Sequence, residues 1–223
     1  MKANSNKNLL IQFSLLRGLD FISWSLVAFY CLALFTLQDI YFSNFPYFVL
    51  LPLLSLVYGS FVIPDDFLDE RGWRLSITKL RCYSLICALN FPFLIFIQLA
   101  GKNTYFAICC GLVIFSIVQI LLAVTEMSYS VASKFHETIL ASEAKLGRRL
   151  IYVFTLLTVV VMLFYMGNPG FLRELKYKGV LDAALKIMAL FLVFPIIFPV
   201  TLLFRLKFAL IKKHKEEINS SYE

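Results

Sequence analysis

Charge is scarce in this chain. Only 16% of its 223 residues are Asp, Glu, Lys or Arg, against about a quarter in an ordinary soluble domain. With 60% of residues hydrophobic, a water-soluble fold of this length would leave much apolar surface uncovered. Histidine is scarcer still, with 2 copies, His136 and His214. That excludes the histidine-rich di-iron hydroxylases and desaturases of membranes. No H-E-x-x-H occurs, which excludes an intramembrane zinc protease, and no serine–histidine pair sits at shared depth, which argues against a rhomboid-like protease. The absence of a P-loop and of G-x-G-x-x-G excludes nucleotide binding by those routes. The 5 cysteines, Cys31, Cys82, Cys87, Cys109 and Cys110, are odd in number and lack metal-ligand spacing. They read as small buried hydrophobes. A cleavable signal peptide is missing too: the basic start runs into an apolar stretch with no small-residue cleavage site, so the first span is expected to stay as an anchor.

What the chain has instead is apolar length. Six stretches, near 19–37, 45–63, 83–100, 105–125, 150–167 and 185–204, each approach the roughly 20 apolar residues that span a bilayer at about 1.5 Å rise per residue. The mean hydropathy is +0.80, and 23 of the residues are Phe, consistent with surfaces that face lipid tails rather than water. The expected fold class is all-α: a polytopic membrane helical bundle of about six transmembrane helices, forming a single integral domain over residues 1–223.

The net charge of +7 would raise nucleic acid as a partner in a soluble protein. Here its distribution gives another meaning. With both termini cytoplasmic, 16 of the 21 Lys and Arg residues fall on the inner side and 5 on the outer. Basic residues near span ends collect on the cytoplasmic face. The charge therefore reads as orientation and attraction to anionic lipid headgroups, not nucleic-acid binding.

Between the fourth and fifth spans, Met127 to Arg149 reads as an amphipathic cytoplasmic helix, which either runs unbroken into the fifth span or lies on the membrane and turns at Gly147. Val131, Phe135, Ile139, Ser142, Leu146 and Leu150 follow spacings of three and four and share one face. Lys134, Glu137, Glu143, Lys145 and Arg148 take the others. This apolar face is expected to bury against lipid or the bundle. The outer loop opens with Gly167-Asn168-Pro169-Gly170, a turn signal, followed by a short interfacial helix near 171–178.

The sharpest local motif is Pro64-Asp65-Asp66-Phe67-Leu68-Asp69-Glu70, at the cytoplasmic end of the second span. It contains D-D-x-x-D. Carboxylates one turn apart can share Mg²⁺, which can bridge to a diphosphate. The pattern resembles the aspartate-rich motif of prenyl diphosphate synthases and part of the signature of the CDP-alcohol phosphotransferases. That resemblance implies Asp65, Asp66 and Asp69 as Mg²⁺ ligands. It covers five residues. The Gly that the phosphotransferase pattern places after the second of these Asp residues is absent, and Glu70 follows Asp69; no second acidic cluster occurs. The favoured reading is structural: Pro64 ends a span, Asp65 or Asp66 caps an interfacial helix, and the acids precede Arg74, Lys79 and Arg81 as a helix dipole prefers.

Four other polar residues stand out near or inside the spans. Asp20 lies at the inner edge of the first, within reach of Arg17 at i−3. Gln119 and Glu126 occupy the cytoplasmic half of the fourth. Asn90 precedes Pro92 in the third, and Pro195 and Pro199 interrupt the sixth; proline frees carbonyls that transporters use, but it is also common in ordinary membrane helices.

Catalytic constellations are missing and the spans carry few polar groups. The sequence therefore favours a non-catalytic subunit, scaffold or accessory component of a membrane assembly, with transport as an activity that assembly would serve. Its expected partners are the bilayer, anionic headgroups and other membrane subunits, its expected location the cell inner membrane, and no cofactor is expected. A small permease or channel is the alternative. A Mg²⁺-dependent lipid-phosphate or prenyl-type transferase using Asp65–Asp69 is the third reading.

Overall fold

The computed structural model describes residues 2–37, 45–68, 70–100, 104–167, 196–212 and 215. All regular structure among them is helical: α1 (Lys2–Leu37), α2 (Phe45–Val62), a 3-10 turn (Asp65–Phe67), α3 (Arg71–Ala100), α4 (Thr104–Lys134) and α5 (Thr138–Gly167), with a C-terminal helical segment over 196–212. The interfacial helix expected at 171–178, the start of the sixth span at 185–195, and Asp69, His214 and Pro195 lie outside the described residues.

Every described apolar stretch falls inside a helix, but the helices are longer than the stretches. α3, α4 and α5 have 30, 31 and 30 residues, about 45 Å each at 1.5 Å per residue. The interfacial helix expected to be capped by Asp65 or Asp66 is not separate: residues 71–82 are the first turns of α3. Continuing a helix adds one backbone hydrogen bond per residue fixed, whereas starting a new one requires costly nucleation. A change from polar to apolar side chains therefore does not by itself end a helix.

Among the described residues, two stretches are long and apolar enough, by length and composition, to cross a membrane: Ile11–Leu32 and Gly111–Lys134. Phe48–Val62 is a shorter apolar helix. Among the described residues two of the six expected spans meet that test.

The buried stripes alternate steps of three and four. In α2 the stripe is Val49, Leu53, Leu56 and Ser60, continued by Ile63 just past its end; in α3 it is Trp73, Ile77, Leu80, Ser84 and Cys87. This near-3.5 period is the seam of closely aligned helix packing. The most extensive helix pair is α3 with α4, then α1 with α2 and α4 with α5. Core residues from α1 (Leu15, Leu19, Ile22), α4 (Ile120, Val124, Met127) and the C-terminal segment (Leu202, Leu203, Leu206) join one cluster.

Interior polar groups are almost all hydroxyls. Ser23, Ser60, Ser84, Ser116, Thr125 and Ser128 are buried, and each hydrogen-bonds a carbonyl three or four residues back, at 2.7–2.9 Å. α1 and α2 cross closely at Gly18 and Gly59, and hydroxyls tie the crossing: Ser14 Oγ donates to Val62 O at 2.7 Å and Ser55 Oγ to Phe21 O at 3.5 Å.

No separate amphipathic helix lies between α4 and α5. α4 stops at Lys134 in a Schellman-type cap. Glu137 N donates to Ala132 O at 2.9 Å and His136 N to Ser133 O at 3.2 Å, with His136 at φ 58° in the left-handed position. This break resets the helical phase. Leu140, Ala144, Gly147 and Ile151 form the buried stripe of α5, while Ile139 and Leu146, expected on the apolar face, are 70% and 51% exposed. The cysteines divide as well: Cys87 and Cys109 are buried, but Cys31 and Cys82 are exposed, contrary to the expectation for all five.

Candidate functional site

Among the described residues, the ionisable side chains that form ion pairs gather at one end of the bundle, where α2 and α4 end and α3 and α5 begin. At that end the chain from Ile63 to Leu68 folds back between the helices. Trp73 anchors it: its ring is fully buried and its Nε1 donates to Pro64 O at 3.2 Å. Leu68 is buried beside it, and Phe67 stacks against both Trp73 and Phe135. Lys134 lies over the Phe67 ring at 5.4 Å.

Arg81 serves the end of α2. Its Nε donates to Ser60 O at 3.1 Å and its Nη2 to Ile63 O at 2.7 Å, while Nη1 reaches Asp65 Oδ2 at 2.9 Å. Carbonyls at a helix C-terminus have no partner in their own helix. A planar fork that can bond several at once is suited to them. The aspartate-rich motif is thus distributed. Asp65 is half-exposed and paired with Arg81. Asp66 is exposed in the 3-10 turn, Glu70 is exposed, and Asp69 lies outside the described residues. Neither Asp65 nor Asp66 caps α3, which begins at Arg71 with Arg74 N on Glu70 O at 3.3 Å. Among the described residues, no three His, Cys, Asp or Glu side chains lie close enough to hold one metal ion.

Glu126, on α4, pairs with Lys79 of α3 at 3.1 Å and accepts from Ser76 Oγ at 3.4 Å. These groups form one wall of a cleft of about 430 Å³ between α3, α4 and α5. The opposite wall carries Lys145 and Arg148, and Lys145 Nζ sits over the Tyr129 ring at 5.2 Å. Asp20 is paired not with Arg17 but with Lys207 of the C-terminal segment; Arg17 lies 6.0 Å over the Phe21 ring. Arg205 of that segment reaches Glu143 of α5. The charges therefore cross-link α1, α3, α4, α5 and the C-terminal segment at one level.

Asn90 spends its amide inside its own helix, Nδ2 donating to Ile86 O at 2.8 Å, one turn before Pro92. Gln119 is half-buried on α4. A second cavity, about 230 Å³, lies deeper in the bundle and is apolar, lined by Leu26, Phe29, Val49, Leu56, Cys87 and Ile120. Asn90 is not part of it.

The structure brings Asp20, Asp65 and Glu126 to the same end of the bundle, each in a separate ion pair with a basic residue. Sequence reasoning missed Trp73 and Lys207 and read Arg81 only as part of a helix-dipole charge order, yet these side chains organise this end. The usable signal for Trp73 and Arg81 was an aromatic and an arginine spaced within a charge-rich segment that must turn back on itself. Compared with models of protein families, with curated proteins and with solved structures, the chain matches none.

Proposed function

We propose that the chain is an integral protein of a cell membrane that crosses the bilayer six times with both ends cytoplasmic. In this reading it acts as a non-catalytic subunit or scaffold of a membrane assembly. One observation carries the reading. The helices expose large apolar side chains on the faces opposite their buried stripes: Phe48, Leu51, Leu54, Tyr58 and Phe61 on α2, Ile108, Leu112 and Phe115 on α4, and Tyr152, Val153, Leu156 and Val160 on α5. A helix that is apolar all round belongs inside a large core or inside lipid, and the buried hydroxyls bonded to their own helices fit the second setting. α3, α4 and α5 exceed the roughly 30 Å hydrocarbon thickness by about 15 Å. Their excess turns carry the paired charges of one end, which this reading places at the cytoplasmic headgroups.

The scaffold reading is favoured over a permease by the mid-bundle cavity, whose lining is apolar, and over a transferase by the pairing of Asp65 and Glu126 with bases. Cysteine tagging at Asn103 and Asn168 tests the topology. Both are expected to label from the outside, and Arg74, Lys145 and Lys212 from the cytoplasm. Outside labelling at Lys145 refutes six spans with inner termini. Pull-down in mild detergent tests the scaffold role, with recovery as a lone chain as the refuting result.

A further inference from the structure

The cleft between α3, α4 and α5 holds cationic groups that the charge network leaves unused. Lys145 and Arg148 lie one turn apart on α5, both line the cleft, and neither has an acidic partner among the described residues. Glu126 faces them from α4, but its carboxylate is held by Lys79 and Ser76. The other acid of the lining, Glu70, is exposed at the rim. Lys145 is steadied over the Tyr129 ring at 5.2 Å, a cation–π contact that orders the side chain without neutralising it. Ser130 also lines the cleft, is only 8% exposed, and its hydroxyl donates to no group among the described residues. Two cations and a spare hydroxyl donor around a volume of about 430 Å³ match a phosphate, which accepts charge-assisted hydrogen bonds from several sides.

The surface beyond the cleft separates a lipid phosphate from a free one. From Arg148 the same face of α5 continues in steps of four through Tyr152, Leu156 and Val160, which are 55%, 66% and 54% exposed. A molecule with its phosphate on Lys145 and Arg148 can lay apolar chains along that track without leaving the helix.

We propose that this cleft binds the phosphate of an anionic phospholipid through Lys145, Arg148 and Ser130, with the acyl chains along Tyr152, Leu156 and Val160. The inference rests on the membrane reading above and deepens it, since a lipid fixed between α4 and α5 would join the scaffold to a particular bilayer composition.

The test uses the full chain in a neutral maltoside detergent, with thermal unfolding read against added phosphatidylglycerol, phosphatidylcholine or sodium phosphate. A ligand that binds only the folded state raises the melting temperature. Phosphatidylglycerol is expected to raise it by several degrees, and the other two to leave it in place. Joint Lys145→Gln and Arg148→Gln substitution is expected to weaken phosphatidylglycerol binding at least about tenfold. Arg149→Gln, exposed and off the cleft, keeps the rise, as does the charge-conserving pair Lys145→Arg and Arg148→Lys. An undiminished rise in the double Gln variant overturns the site. An equal rise with phosphatidylcholine overturns its anionic preference, and an equal rise with sodium phosphate overturns the lipid assignment. Partition of the unmodified chain into the aqueous phase of a Triton X-114 separation sinks the membrane reading itself, whereas retention in the detergent phase without a phosphatidylglycerol effect sinks the cleft assignment alone.

Discussion

Alanine at Gly18 tests whether the α1–α2 crossing is built on small residues. A Cβ at Gly18 would stand 2.5 Å from Ile63 Cγ1, 3.0 Å from the Gly59 carbonyl oxygen and 3.2 Å from Ile63 N. The isoleucine methylene can swing aside, but the two backbone atoms move only if α2 moves. Gly59 is the reciprocal contact, with a virtual Cβ 3.0 Å from Gly18 O and 2.8 Å from Phe21 Cβ. Separating the helices loosens Leu15, Leu19, Leu56 and Ile63, all buried at the same seam. It also lengthens the Ser14 bond to Val62 O, now 2.7 Å. Overpacking of this kind costs about 1–3 kcal/mol. The opposing term is helix propensity, which favours Ala over Gly by up to about 1 kcal/mol where the unfolded state is not helical. In an SDS-unfolded state that keeps its helices this gain shrinks, so packing wins and Gly18→Ala is expected to lose about 1–2 kcal/mol. Gly111 is the control: a Cβ there meets nothing within 4 Å, and Gly111→Ala is expected to fall between no change and a gain of about 1 kcal/mol. Circular dichroism across an SDS titration in mixed micelles reads both. Equal stability of the two variants would refute the close-crossing argument.

Arg81→Lys keeps a charge but loses the fork that bonds Ser60 O, Ile63 O and Asp65. It is expected to cost about 2–3 kcal/mol, while Asp65→Asn, at a half-exposed carboxylate, costs under about 1 kcal/mol; equal costs in the same titration count against capping as the role of Arg81. His136→Gly should fold at least as stably as the native chain, because φ 58° suits Gly, and His136→Val should lose more than about 1 kcal/mol; a tolerated Val contradicts the left-handed cap. Asp20→Asn and Lys207→Gln, about 187 residues apart in sequence, should show a coupling of about 0.5–1 kcal/mol in a double-mutant cycle, and strictly additive losses remove that pair from the fold's cross-links.

Hydropathy located the helices because the apolar stretches lie inside them, yet it did not locate their ends. Where the side chains turn polar, at Arg71–Arg81 or Glu126–Lys134, the backbone hydrogen bonds continue unchanged, since α3 and α4 run straight through. The pattern of apolar residues records what surrounds a helix, not where it starts. The phase error in α5 has a related cause. The Val131–Leu150 periodicity is real on paper but crosses a break that His136 makes. A histidine in the left-handed cap position carries none of the stop signal that a glycine there would give. The acidic cluster was legible as a helix boundary and illegible as a partner of Arg81, because the contact joins residues 16 apart across a turn that only the burial of Trp73 and Leu68 fixes.

The charge network makes sense only together with the apolar exterior. In water, the exposed faces of α2, α4 and α5 would dominate the energetics of this chain, and four ion pairs among the described residues could contribute little, because solvent and salt screen such pairs. At the edge of a lipid phase the balance changes. The apolar faces no longer cost anything, helix association has to come from close packing and local polar ties, and partly buried pairs gain from the lower dielectric. Gly18 against Gly59, the Ser14 and Ser55 hydroxyls that bond across that crossing, and the pairs from Asp20 to Lys207 and from Glu143 to Arg205 are the ties that remain. The last two hold the C-terminal segment to α1 and α5, so the end of the bundle carrying Lys145 and Arg148, which pair with no acid among the described residues, is also the end where the helices are charge-locked. A lipid phosphate seated there would add a ligand to the one level of the molecule that already fixes how its helices are arranged.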